Sequence, residues 1–170
     1  NVTGNVSRGV NLIYKKEGII YITNSTQLIS QYFPQSPEPL ICTIVANCSD
    51  TILFRISALS NAHAEIPDNS NYPYAVCCRR NGDSLGTSCS NGFTFLRLSA
   101  ETNAHVQKNS YFEYPFPVCL SSNYNVLCDY TADSCASAGY TACIATISND
   151  TNAHVADCVT DPYPLKVCCR

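Results

Sequence analysis

A short phrase occurs three times in this chain: an Asn-Ala-His turn followed by a closing Val-Cys. It stands as Asn61-Ala62-His63 with Val76-Cys77-Cys78, as Asn103-Ala104-His105 with Val118-Cys119, and as Asn152-Ala153-His154 with Val167-Cys168-Cys169. The histidine lies 14 residues before the first closing cysteine in every copy. Upstream the match continues through Ile56, Leu98 and Ile147, then Ser57, Ser99 and Ser148, then Ser60, Thr102 and Thr151. Arg55 and Arg97 share a further column, which holds Thr146 in the last copy. A Tyr/Pro cluster sits between turn and cysteine each time, at Tyr72-Pro73-Tyr74, Tyr114-Pro115-Phe116 and Pro162-Tyr163-Pro164. The unit therefore reads as a strand, a polar turn, an irregular Tyr/Pro link and a second strand ending in cysteine. Self-similarity of this kind makes each copy one supersecondary unit.

Units of about 40 residues rarely bury enough apolar area to fold alone, and they need staples. Twelve cysteines supply them. Divided by copy they are Cys42, Cys48, Cys77 and Cys78; then Cys89 and Cys119; then Cys128, Cys135, Cys143, Cys158, Cys168 and Cys169. Each count is even, which implies disulfides closed mostly within a repeat. Connectivity is left open, and a bridge between neighbours through Cys89 fits the count as well. The second copy has Leu120 where the others have the second cysteine of the pair, and it has fewer upstream cysteines too. That is expected if closing cysteines bond back to the start of their own repeat. Adjacent cysteines on a strand point to opposite faces, so Cys77-Cys78 and Cys168-Cys169 each predict two separate bridges.

The predicted fold is all-β: tandem small disulfide-stapled β modules, in three repeats at 42–88, 89–127 and 128–170. Residues 1–41 differ, with neither cysteine nor histidine. There Leu12-Ile13-Tyr14 and Ile19-Ile20-Tyr21-Ile22 flank Lys15-Lys16-Glu17-Gly18 and predict an N-terminal hairpin or extended arm, with Gly18 at a positive-φ position. A third β-favouring run, 27–33, ends at the link Pro34-Gln35-Ser36-Pro37-Glu38-Pro39. No segment has helical periodicity with caps.

Cysteine density with only 14% charged residues points to an oxidising, extracellular compartment. The chain has no methionine and no apolar leader, as a mature secreted chain with its signal peptide removed would. Net charge of −3 provides no basic field for a nucleic-acid backbone. Apolar runs fall far short of the roughly 20 residues of a membrane span. The expected partners exclude both nucleic acid and a membrane span. Asn1, Asn5, Asn24, Asn47 and Asn149 match the N-glycosylation acceptor, so covalent glycans are expected.

The three histidines, His63, His105 and His154, read as structural. A catalytic constellation is normally assembled once from unlike residues, whereas a residue copied into every repeat serves the fold of the repeat. An imidazole in such a turn can donate to a backbone carbonyl and accept from Ser or Thr. Zinc spacing is missing, with no Cys-x2-Cys and no second histidine in any repeat. Disulfides leave no thiolate for a Cys–His nucleophile, and no paired carboxylates stand out. The reading is no enzyme, no catalytic residue, no metal and no cofactor.

Thr102–Val106 and Thr151–Val155, both Thr-Asn-Ala-His-Val, with the later Tyr and Val-Cys-Cys, resemble a tandem repeat of predicted secreted surface proteins of uncultured archaea. The third copy carries the pattern best, including Ala138-Gly139-Tyr140-Thr141-Ala142-Cys143; the first departs at Ser60 and Ala64, the second at Leu120. The likeness covers roughly residues 42–170 and implies a cell-surface or extracellular location without a catalytic site. The chain also resembles subunits of glycosylated extracellular fibrils. Two functions then compete. The first is a structural subunit of an extracellular filament or surface layer, a head-to-tail homopolymer joined through Val10, Leu12, Tyr14, Ile20 and Ile22 of the N-terminal segment. The second is a monomeric secreted adhesin or carbohydrate-binding module.

Overall fold

A computed structural model describes residues 12–16, 19–23, 38–160 and 163–170, and no helix occurs among them. The chain divides into two compact units, Asn1–Ser36 and Pro37–Arg170. In the first, β1 (Leu12–Lys16) and β2 (Ile19–Thr23) pair antiparallel with Tyr14 opposite Tyr21. This is the expected hairpin. Gly18 and the run 27–33 lie outside the described residues.

The second unit holds three antiparallel sheets, one per repeat. The first repeat contributes β3 (Ile41–Val45), β4 (Thr51–Ile56), β5 (Ala64–Glu65) and β6 (Tyr74–Arg79), in the order β3-β6-β4-β5. The second contributes β7 (Phe93–Leu98), β8 (Val106–Lys108) and β9 (Phe116–Leu120), ordered β8-β7-β9. The third contributes β10 (Cys128–Thr131), β11 (Ala142–Ile147), β12 (Val155–Ala156) and β13 (Leu165–Cys169), ordered β10-β13-β11-β12. Each repeat thus adds to the two strands of the sequence pattern the short strand that follows its histidine, and the first and third repeats add an outer strand as well, β3 and β10.

Identical local devices recur at identical positions. The register of each central pair slips at Leu53, Phe95 and Ile144, a bulge that re-aims a fully buried apolar side chain into the core. Asn61, Asn103 and Asn152 take positive φ of 51°, 51° and 49°. Asparagine is among the few residues besides glycine that tolerate this region, which accounts for its place in all three turns.

All twelve cysteines are bonded, and every bridge stays within its repeat. Cys42–Cys78 and Cys128–Cys169 join directly paired residues of β3 and β6 and of β10 and β13. Cys48–Cys77, Cys89–Cys119 and Cys135–Cys168 tie each loop to its closing strand, and Cys143–Cys158 is an addition of the third repeat. Neighbouring cysteines do serve separate bridges. Leu120 replaces a cysteine in the one repeat that lacks an outer first strand, so no partner position exists for a bridge there; it is fully buried instead. Loops of 15 to 41 residues give about 3–4 kcal/mol per bridge through the unfolded chain.

The three repeats are not separate small domains. Pro37–Arg170 is one compact unit, and a single apolar core takes Leu53, Phe54 and Ile56 from the first repeat, Phe95, Leu96 and Leu98 from the second, and Ile144, Ala145 and Ile147 from the third. The physical reason lies in the turns. Ala64 pairs with Ala104, Val106 with Ala153, and Val155 with Ala62. In each case the residue after one histidine meets the residue before the histidine of the next repeat, and the third repeat closes back on the first. The result is a ring of three with cyclic order.

Candidate functional site

The ring brings the three histidines to one place. Their ring centroids lie 4.9 Å (His63–His105), 5.0 Å (His63–His154) and 4.9 Å (His105–His154) apart, a nearly equilateral triangle. One ring nitrogen from each lies within 4.8 Å of the others. All three side chains are half-buried.

Each turn is held by its serine. Ser57, Ser99 and Ser148 donate their backbone N–H to the carbonyl of His63, His105 and His154 at 3.0, 3.0 and 3.1 Å. Their hydroxyls accept the N–H of the same histidines at 3.1, 3.0 and 3.0 Å. The repeated serine therefore clamps the histidine backbone, whereas the sequence reading assigned Ser or Thr to the ring. The rings instead find partners in neighbouring repeats. His63 Nδ1 donates to Asn103 Oδ1 at 2.5 Å, and His154 Nδ1 donates to Asn61 Oδ1. Asn61 Oδ1 also accepts from the Tyr163 hydroxyl at 3.2 Å. His105 and His154 face each other through Nε2 at 3.1 Å. Burial, and then the neighbouring charges of His105 and His63, hold the His154 pKa below its usual value, which favours the neutral ring.

Among the described residues, this triangle is the group of three His, Cys, Asp or Glu side chains whose ligand atoms lie close enough together to reach one metal ion. The sequence reading named all three histidines but gave each a role inside its own turn. The missing element was Asn61 and Asn103 acting across repeats. The available signal was the equal spacing: equivalent residues of a repeat that closes into a ring gather on its axis.

A second feature lies at the edge of the first repeat. A groove of about 580 Å³ runs along Leu40–Val45 against Ala142, Ile144 and Val159. β3 is an edge strand of its sheet. At the matching place between the second and third repeats, Tyr130 of β10 fills the space, with its hydroxyl donating to the Phe95 carbonyl and accepting from the Asn109 N–H at 2.9 Å. Burial raises the Tyr130 pKa, so the hydroxyl keeps its proton. The position of Tyr130 is that of Ile44 in the first repeat, each two residues past the first cysteine and opposite Val167 or Val76. Ile44, a smaller side chain than tyrosine, lines the groove there.

Asn47 and Asn149 are exposed. Asn1, Asn5 and Asn24 lie outside the described residues, as does Val10; Leu12 and Tyr14 lie on β1, Ile20 and Ile22 on β2. Comparison with family models, with curated proteins and with solved structures finds no match to this chain.

Proposed function

We propose that the protein is a structural subunit of an extracellular, glycosylated filament or surface layer, polymerising head to tail as each subunit receives the N-terminal segment of a neighbour along β3. The observation that carries the reading is the apolar groove beside an edge strand, at the place where Tyr130 closes the equivalent gap. An exposed edge is a template for a further strand. A donated strand adds backbone hydrogen bonds at about 0.5–1.5 kcal/mol each and about 1.5–3 kcal/mol per large apolar side chain buried. Leu12, Tyr14, Ile20 and Ile22 supply such side chains. A head-to-tail contact of this type extends into a fibre when its rotation does not close a ring. Six disulfides fit an oxidising compartment, and exposed Asn47 and Asn149 leave room for glycans.

Electron microscopy of the purified chain at neutral pH tests the proposal, together with two variants. Deleting residues 1–22 removes the donor, and Ile44→Tyr fills the groove as Tyr130 fills its counterpart. Uniform fibres are expected from the intact chain, and folded, disulfide-bonded monomers from both variants. Dispersed particles from the intact chain would sink the filament and favour the adhesin or carbohydrate-binding module. Fibres from either variant would move the contact away from β3 or from the N-terminal segment.

A further inference from the structure

We propose that His63, His105 and His154 bind one divalent first-row transition-metal ion, zinc being the best fit, at the point where the three repeats meet. The ligand geometry is the first support. Zinc–nitrogen bonds of about 2.0–2.1 Å at tetrahedral angles place two nitrogens about 3.3–3.4 Å apart. His105 Nε2 and His154 Nε2 are 3.1 Å apart, and one ring nitrogen from each of the three lies within 4.8 Å of the others, so an ion between them requires the wider separations to contract toward that value.

Protonation is the second and independent support. An asparagine Oδ1 only accepts, so the His154 Nδ1 that meets Asn61 Oδ1 must carry the hydrogen. The same holds for His63 Nδ1 and Asn103 Oδ1. In the neutral ring the other nitrogen, Nε2, is then a bare lone pair. His154 directs that lone pair at His105 Nε2, 3.1 Å away, so the two rings converge on one point that either the N–H of a neutral His105 or a metal ion can occupy. A metal engages all three nitrogens together, whereas the N–H serves a single pair. Histidine ligands of metals commonly donate their second ring N–H to an outer oxygen, which fixes tautomer and orientation. Asn61 and Asn103 occupy that role, and Tyr163 in turn holds Asn61.

The ligand set selects the metal class. Three imidazoles without thiolate or carboxylate suit zinc, copper, nickel or ferrous iron. The half-buried rings leave a fourth position to solvent, the open form of a zinc site. Placement also answers a structural need. Every disulfide staples a repeat to itself, and a metal held by one ligand from each repeat ties the ring together.

The test is titration of the oxidised full-length chain, first stripped with a chelator, with zinc alone at neutral pH. One zinc per chain is expected. His63→Ala, His105→Ala and His154→Ala should each weaken binding at least about 100-fold. Asn61→Gly and Asn103→Gly, which keep the positive φ, should weaken it about tenfold, the usual effect of removing an outer partner. Cobalt(II) reads the geometry without dependence on stability, since a tetrahedral site gives intense visible bands and an octahedral one weak bands. Absence of stoichiometric zinc, a weak octahedral cobalt spectrum, or retained affinity in a folded single-histidine variant would each overturn the site.

Discussion

Asp83 shows how a single residue ties two repeats. Its carboxylate accepts from the Ser122 hydroxyl and from the N–H groups of Asn123 and Ser84, at 3.0 and 2.8 Å for the latter two, and lies 3.6 Å from the Arg80 guanidinium. Arg80 also reaches Ser122 at 3.0 Å, and both charged side chains are buried. Burial pushes the Asp83 pKa up, but those hydrogen bonds and Arg80 outweigh it and leave it below 3.8. A folded value below the unfolded one means that the unfolded chain binds more protons in acid. The stabilisation is therefore full above about pH 3.8 and is lost as pH falls through the lower folded value. Asp83→Asn leaves Arg80 buried without its counter-charge, a change that costs about 3 kcal/mol at neutral pH. Urea unfolding at pH 7 and at pH 2.5 should show the gap between native and variant proteins narrowing in acid. A gap independent of pH would mean that Asp83 acts through shape alone. Glu65 is a second such residue, fully buried and accepting from Asn71, Thr102 and the Tyr72 N–H at 3.0, 3.2 and 2.8 Å. Removing its carboxylate strands three donors, so Glu65→Ala should cost about 2–4 kcal/mol in the same measurement.

At the scale of the element, the Asn-Ala-His turn combines a backbone need with a side-chain one. The positive φ at Asn103 disfavours alanine by about 1 kcal/mol or more, while glycine adopts it freely. Asn103→Ala should therefore lower stability by about 1–2 kcal/mol in chemical denaturation, and Asn103→Gly by well under 1 kcal/mol. Equal losses would place the role of Asn103 in its bond to His63 and not in its φ. Strand type, turn position and the tendency of the disulfides to stay within a repeat were readable because each leaves a mark inside one copy: β-favouring runs, an even cysteine count, Leu120 in place of cysteine; the pairing itself was not. The link between copies leaves no such mark. It rests on backbone bonds of Ala62, Ala64, Ala104, Val106, Ala153 and Val155, which carry small or branched side chains suited to any strand. Histidines read inside isolated repeats therefore have no second histidine beside them, although each has two in the neighbouring repeats.

For the whole molecule, the ring makes stability a shared property. In a linear array each repeat contacts only its sequence neighbours, and unfolding can begin at either end. Here the third repeat pairs with the first through Val155 and Ala62, so neither end is free. Leu40, Phe54, Phe95, Ile144 and Val167 belong to one buried cluster, and each sheet has too few strands to hide an apolar face by itself. Residues 37–170 should consequently unfold in urea as one cooperative transition, with tyrosine fluorescence and far-ultraviolet dichroism coinciding. A chain ending at Val126 should lose that transition altogether, even with the disulfides of its two remaining repeats intact, because Ala62 and Val106 would lose their partners and Leu98 and Val106 would face water. The comparison distinguishes a ring from an array. Removing a terminal repeat from an array lowers the midpoint and leaves the rest folded, whereas opening a ring of three should abolish the folded baseline. A truncated chain that still melted cooperatively would show that two repeats suffice and that closure contributes little.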